Sequence, residues 1–119
     1  SKTPMMRDAL RKMTWVFWIA QNTGPSFLTS DNPFFFFQSL GIGRQGSEVT
    51  VPLASDIALW ATWRKDFVEG EYRQAHAKVI REINRRTASN AYRYVYYHKQ
   101  ADWIPKLINN RNPFLNRII

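Results

Sequence analysis

Three residues in this chain combine side-chain types that hydrolytic chemistry uses. Asp31 and Asn32 sit together in Ser30-Asp31-Asn32-Pro33, and His76 is one of only two histidines. In a catalytic reading Asp31 serves as general base or metal ligand and Asn32 as an orienting donor. Ser30 adds a hydroxyl, and His76 or His98 supplies an acid or base near neutral pH. The same tetrapeptide also suits a tight turn, in which Asp31 and Asn32 bond to nearby backbone N–H groups and Pro33 fixes the exit. The turn reading carries more weight, because every residue in the cluster favours it. Asp56, after Pro52-Leu53-Ala54-Ser55, is a second isolated carboxylate. With Asp31 it would offer oxygen ligands to Mg²⁺, but no third acid completes a two-metal site, so the metal stays unassigned.

Other chemistries are excluded or weak. There is no Cys, hence no thiol nucleophile, disulfide framework or Cys-ligated metal. Gly41, Gly43 and Gly46 reproduce the spacing G-x-G-x-x-G. Ser47-Glu48 then leads into a strand-like run, not into the helix whose N-terminus would hold a pyrophosphate. No cofactor is expected.

Charge is more informative. The chain has 119 residues, 17 Lys plus Arg and 9 Asp plus Glu, giving a formal charge of +8. Nine basic and four acidic residues lie between Arg64 and Lys99. Lys78, Arg81 and Arg85 recur at helical spacing on one side, with Arg73 and Arg93 nearby, which is how a phosphate-binding ridge would be written. Tyr92, Tyr94, Tyr96 and Tyr97 would stack on unpaired bases if exposed. The plainer alternative is a solvated helix face in which Lys78 and Glu82 form an i,i+4 pair. The expected partner is therefore RNA or DNA. A nuclease-like hydrolase, or a purely structural or interaction domain, is the alternative.

Positioning these groups requires a core, and 45% hydrophobic and 15% aromatic residues are enough for one. The length suits a single domain over 1–119. Pro4 to Met13 reads as a short helix with Pro near its start. Trp15 to Ala20 reads as a buried strand, and Ser26 to Thr29 as its hairpin partner across Asn22-Thr23-Gly24-Pro25. Phe34 to Phe37, Glu48 to Pro52 and Ile57 to Trp63 read as further strands, with Pro52 at an edge or bulge, and Tyr92 to Tyr97 as a last strand or an extension of the long helix. Ile57, Leu59, Ala61 and Trp63 share one face. Glu71 to Asn90 carries the clearest helical period, with Tyr72, Ala75, Val79, Ile83 and Thr87 on one arc and His76 on the same stripe. Asp102 to Asn109 reads as a short final helix. The expected fold is α+β, an antiparallel sheet with one long amphipathic helix packed on one face.

Four segments in order carry a resemblance. They are Trp15-Val16-Phe17-Trp18, then Phe27 through Thr29-Ser30-Asp31-Asn32-Pro33, then Val51-Pro52-Leu53-Ala54-Ser55. The last is the helix through Ile83 and Asn84 running into Ala91-Tyr92-Arg93-Tyr94-Val95. Between Thr14 and about Tyr97 this order resembles the C-terminal part of a bacterial domain-of-unknown-function family, family 4238. The chain departs at Ala54, where the family more often has Ser directly after Pro-Leu. The resemblance implies a fold more than an activity, and a longer family chain of which this is a fragment.

The first residue is Ser1 and the apolar end holds Phe114, Leu115, Ile118 and Ile119, which also reads as a piece of a longer chain. The longest apolar run, Trp15 to Ala20, is far short of the roughly 20 residues that span a bilayer, and no secretory signal is evident. The expected location is cytoplasmic with no membrane partner. Phe34 to Phe37 read either as core on both faces or, in part, as a contact with a missing N-terminal segment or a second copy.

Overall fold

The computed structural model describes residues 2–21, 23–37, 41–91, 95–96 and 118. Its elements in chain order are α1 (Lys2–Lys12), β1 (Thr14–Ile19), β2 (Thr29–Ser30), β3 (Phe35–Phe36), β4 (Glu48–Ala54), β5 (Ile57–Thr62), β6 (Tyr72–Gln74), α2 (Ala77–Asn90) and β7 (Val95–Tyr96). The fold is α+β. Five strands form one sheet in the order β3-β4-β5-β1-β6, while β2 and β7 form a separate two-stranded ribbon.

The sheet is antiparallel except at one edge, where β6 runs parallel to β1. Alternation along the strands divides the side chains between two cores. Val16, Trp18, Ala58 and Trp60 face α2 and pack with Val79, Ile80 and Ile83. Val49, Ala61, Trp15 and Trp63 point the other way and meet Ala9 of α1 and Met13 just after it. The long helix therefore covers one face, and the short N-terminal helix covers part of the other. Burial of Trp18, Trp60 and their aliphatic neighbours is the main stabilising term, at about 25 cal/mol per Å² of apolar surface.

Three sequence expectations need correction. The segments 15–20 and 26–29 do not form a hairpin. β1 lies between β5 and β6, and β2 pairs instead with β7 (Thr29 opposite Tyr96, Ser30 opposite Val95). Phe27 lies outside either sheet and donates its N–H to the Ser55 carbonyl at 2.8 Å. The long helix begins at Ala77, not Glu71. Gly70, at φ +79°, turns the chain so that its N–H reaches the Trp15 carbonyl at 2.7 Å, and the Glu71 carbonyl accepts from Phe17 N–H at 2.9 Å. Pairing along β1 satisfies the backbone of residues 72–74 in place of a first helical turn, so tertiary context overrides the periodicity. Tyr72 consequently lies on an exposed strand, not on a buried helical stripe, and His76 is exposed just before the helix.

Other expectations hold in place. β4 carries an irregularity between Pro52 and Ala54, where a bulge was expected. Ile57, Leu59, Ala61 and Trp63 fall on the α1 side. Phe35 is buried, and Phe34, Phe36 and Phe37 are half-buried within the chain. The helix expected over Asp102 to Asn109, together with Tyr92, Arg93, Tyr94, Tyr97 and His98, lies outside the described residues.

Candidate functional site

α2 organises the polar residues of this protein on three sides. Toward the 26–34 segment it presents two asparagines. The Asn84 Oδ1 accepts from Leu28 N–H at 2.8 Å, and its Nδ2 donates to the Ser26 carbonyl at 2.9 Å. One buried amide thus replaces a strand partner for a segment that belongs to no sheet there. One and a half turns on, Asn90 Nδ2 donates to the Phe34 carbonyl at 2.8 Å, and the Asn90 carbonyl accepts from Asn32 Nδ2 at 2.9 Å. Ser30 Oγ accepts from Asn32 N–H at 3.0 Å, closing the turn locally. Ser30-Asp31-Asn32-Pro33 is therefore a turn pinned to the C-terminal end of α2, with the Asn32 amide engaged by backbone and Asp31 exposed.

Toward the sheet, α2 places Arg86 in the core. Its guanidinium donates to Glu48 Oε1 on β4 and lies 3.4 Å from Thr50 Oγ1. The guanidinium carbon sits 4.9 Å from the ring centres of both Phe35 and Phe37. Glu48 also accepts from Trp60 Nε1 at 3.0 Å and from the Ile118 N–H at 2.8 Å. Burial pulls the Arg86 pKa below its ordinary value, and Glu48 opposes that shift. From the sequence, Arg86 falls near the edge of the apolar stripe, with no partner assigned. The available signal was phase, since Arg86 lies between Ile83 and Thr87 on the buried arc and Glu48 alternates with Thr50.

Toward solvent, α2 exposes Lys78 and Arg81. Arg85 follows on the same flank, half-covered, and forms an ion pair with Glu82 at 3.1 Å. Arg73 is not on the helix. It projects from β6, 44% exposed, 3.7 Å from Glu71, with its guanidinium 4.9 Å from the Phe67 ring centre. Arg93 lies outside the described residues. The ridge expected from the sequence is thus Lys78, Arg81 and Arg85, with Arg73 on the adjoining strand. A neighbouring pair, Arg64 and Asp66, is exposed, and its hydrogen bond holds the Asp66 carboxyl below the ordinary carboxylate value.

The remaining candidates are scattered. His76 precedes the first residue of α2, whereas Asn32 is bonded to the last. Fourteen helical residues separate those ends by about 20 Å. Asp56 is exposed at the β4–β5 turn, where its carbonyl accepts from Ala20 N–H at 2.9 Å. Among the described residues no three His, Asp or Glu side chains gather as a metal site. Among them, too, no helix is long and apolar enough to cross a membrane.

Neither a curated protein nor a solved structure matches the chain. The profile of one family, described as protein of unknown function (DUF4238), matches residues 3–101. That span holds the tryptophan strand β1, the pinned Ser30–Pro33 turn, the bulged end of β4 and the asparagines of α2, and it shows that the chain belongs to this family.

Proposed function

We propose that this domain binds an anionic polymer, RNA or DNA, along the outward flank of α2. The observation that carries the reading is the pair Lys78 and Arg81. They stand one helical turn apart, exposed, on a helix whose opposite side is sealed against the sheet. Two such cations at fixed spacing on a rigid element meet successive phosphates and release their counterions. Arg85 and Arg73 flank them. Each has a carboxylate neighbour: Arg73 is exposed enough that exchanging Glu71 for a phosphate costs little, whereas Glu82 is buried and holds Arg85 more firmly. The net charge of +8 adds a long-range attraction for the same class of ligand.

The nuclease-like alternative draws on Asp31, Asn32 and His76. With Asn32 and His76 at opposite ends of α2, binding has the stronger support. Titrating a fluorescently labelled random oligonucleotide with the protein tests the proposal. Binding should weaken steeply between about 50 and 200 mM salt. No binding at the lower concentration would overturn it.

A further inference from the structure

The sheet ends at β6, which has β1 on one side and, among the described residues, no strand on the other. Its three residues, Tyr72, Arg73 and Gln74, are all exposed. Two of the most exposed large apolar side chains described, Val68 at 68% and Tyr72 at 67%, lie at this edge. Parallel pairing fixes where the backbone points. Phe17 N–H donates to the Glu71 carbonyl, and Ala75 N–H donates to the Ile19 carbonyl. Phe17 stands opposite Tyr72 and Ile19 opposite Gln74, so the residues whose backbone groups face β1 are 71, 73 and 75. The N–H and C=O of Tyr72 and Gln74 therefore face outward, as an open template for another strand. Native edges are commonly blunted by Pro, by a bulge or by charge. This one has no Pro and a regular register, and Glu71-Tyr72-Arg73-Gln74 is locally neutral in a chain of charge +8.

Charge order selects the strand that fits. Alternation puts the Tyr72 ring on the sheet face that α1 covers in part, stacked on Phe17 at 4.9 Å. It puts Glu71 and Arg73 on the opposite face, 3.7 Å apart, with the Arg73 guanidinium over Trp18. A second copy of this strand, laid antiparallel with Tyr72 opposite Tyr72, sets Glu71 of each copy opposite Arg73 of the other. The segment is thus complementary to itself in that register. The two Tyr72 residues exchange their outward N–H···O=C bonds, and their rings meet between the two Phe17 rings. We propose that β6 is a dimer edge, at which two copies of this chain pair antiparallel through Tyr72 about a twofold axis and join their sheets into one.

Sedimentation velocity of the whole chain over a concentration series tests the proposal. The native chain should dimerise. Glu71→Arg and Arg73→Glu, each alone, place like charges across the axis twice and should weaken association about tenfold or more. Mixed with each other, or combined in one chain, the two reversals restore opposite charges and should recover the dimer. Tyr72→Lys should leave a monomer. Tyr72 is exposed, so that variant should keep the native circular dichroism spectrum, which separates loss of the dimer from loss of the fold. A native chain that stays monomeric up to about 1 mM overturns the proposal. So does a dimer that Tyr72→Lys and both charge reversals leave intact, because the contact then lies elsewhere. A mixture of the two reversals that associates no better than either alone overturns it as well.

Discussion

Arg86 of α2 and Glu48 of β4 form an ion pair that solvent does not reach, with side-chain exposures of 0% and 4%. The guanidinium lies against the rings of Phe35 and Phe37, and the carboxylate also receives Trp60 and Ile118. One side-chain pair thereby joins the long helix, the centre of the sheet, the Phe-rich edge strand and residue 118.

Removing one partner should cost more than removing both. Arg86→Ala leaves the Glu48 charge buried without its counterion, and should destabilise the fold by about 3–5 kcal/mol. Arg86→Met with Glu48→Leu should recover only part of that loss, because the desolvation cost disappears along with the attraction but Trp60 Nε1 and the Ile118 N–H lose their acceptor. Arg86→Lys should not rescue, since an ammonium lacks the planar fork and the guanidinium's contact with two aromatic rings. Urea denaturation of the four proteins checks these outcomes.

The Asn84 amide is the next most exposed to test. Asn84→Leu leaves the Leu28 N–H and the Ser26 carbonyl buried without partners, and should cost about 2–4 kcal/mol for the two groups together. Hydrogen exchange localises the effect. The Leu28 amide should lose protection before the β1–β5 amides do.

Asn90→Ala should act more locally. It removes the donor to the Phe34 carbonyl, but the Asn90 backbone carbonyl that holds Asn32 stays in place. A half-exposed bond of this kind contributes about 1 kcal/mol. The melting temperature should therefore fall less than in Asn84→Leu, a difference that calorimetry resolves.

Asp66 should titrate below an ordinary aspartate, because its carboxylate accepts from Arg64. A folded-state pKa below the unfolded one contributes stability above the unfolded value and loses it as pH falls through the folded value. Asp66 is fully open to solvent, so the contribution to stability is small. NMR titration should show the Asp66 midpoint moving up toward the ordinary carboxylate range in Arg64→Ala.

Much of this was legible in the sequence, and the parts that were not share a cause. β-rich aromatic runs such as Trp15–Trp18 and the alternation at Ile57–Trp63 mark strands because burial on a pleated surface has a period of two. Strand partners carry no such mark. Asn22-Thr23-Gly24-Pro25 has the composition of a hairpin turn, yet Phe27 bonds to Ser55 and Thr29 pairs with Tyr96. The start of α2 was misplaced because Tyr72 and Ala75 happen to continue its period, while the neighbour that claims their backbone, β1, lies more than fifty residues away. The outward cations Lys78 and Arg81 were readable from helical phase alone. Arg86 was not assigned, because its partner Glu48 is set by packing over 38 residues of separation. The turn composition of Ser30–Pro33 was legible, but its anchoring to Asn90 at the end of α2 was not.

The central claim is that Lys78 and Arg81 meet phosphates. It is tested most directly by the salt dependence of single-strand affinity in the native chain and in Lys78→Ala/Arg81→Ala. Each lost phosphate contact lowers the slope of log affinity against log salt by about 0.7, so the double variant should be shallower by about 1.4. The two proteins should converge at high salt. Superimposable slopes, with the variant binding as tightly as the native chain at low salt, would contradict the claim.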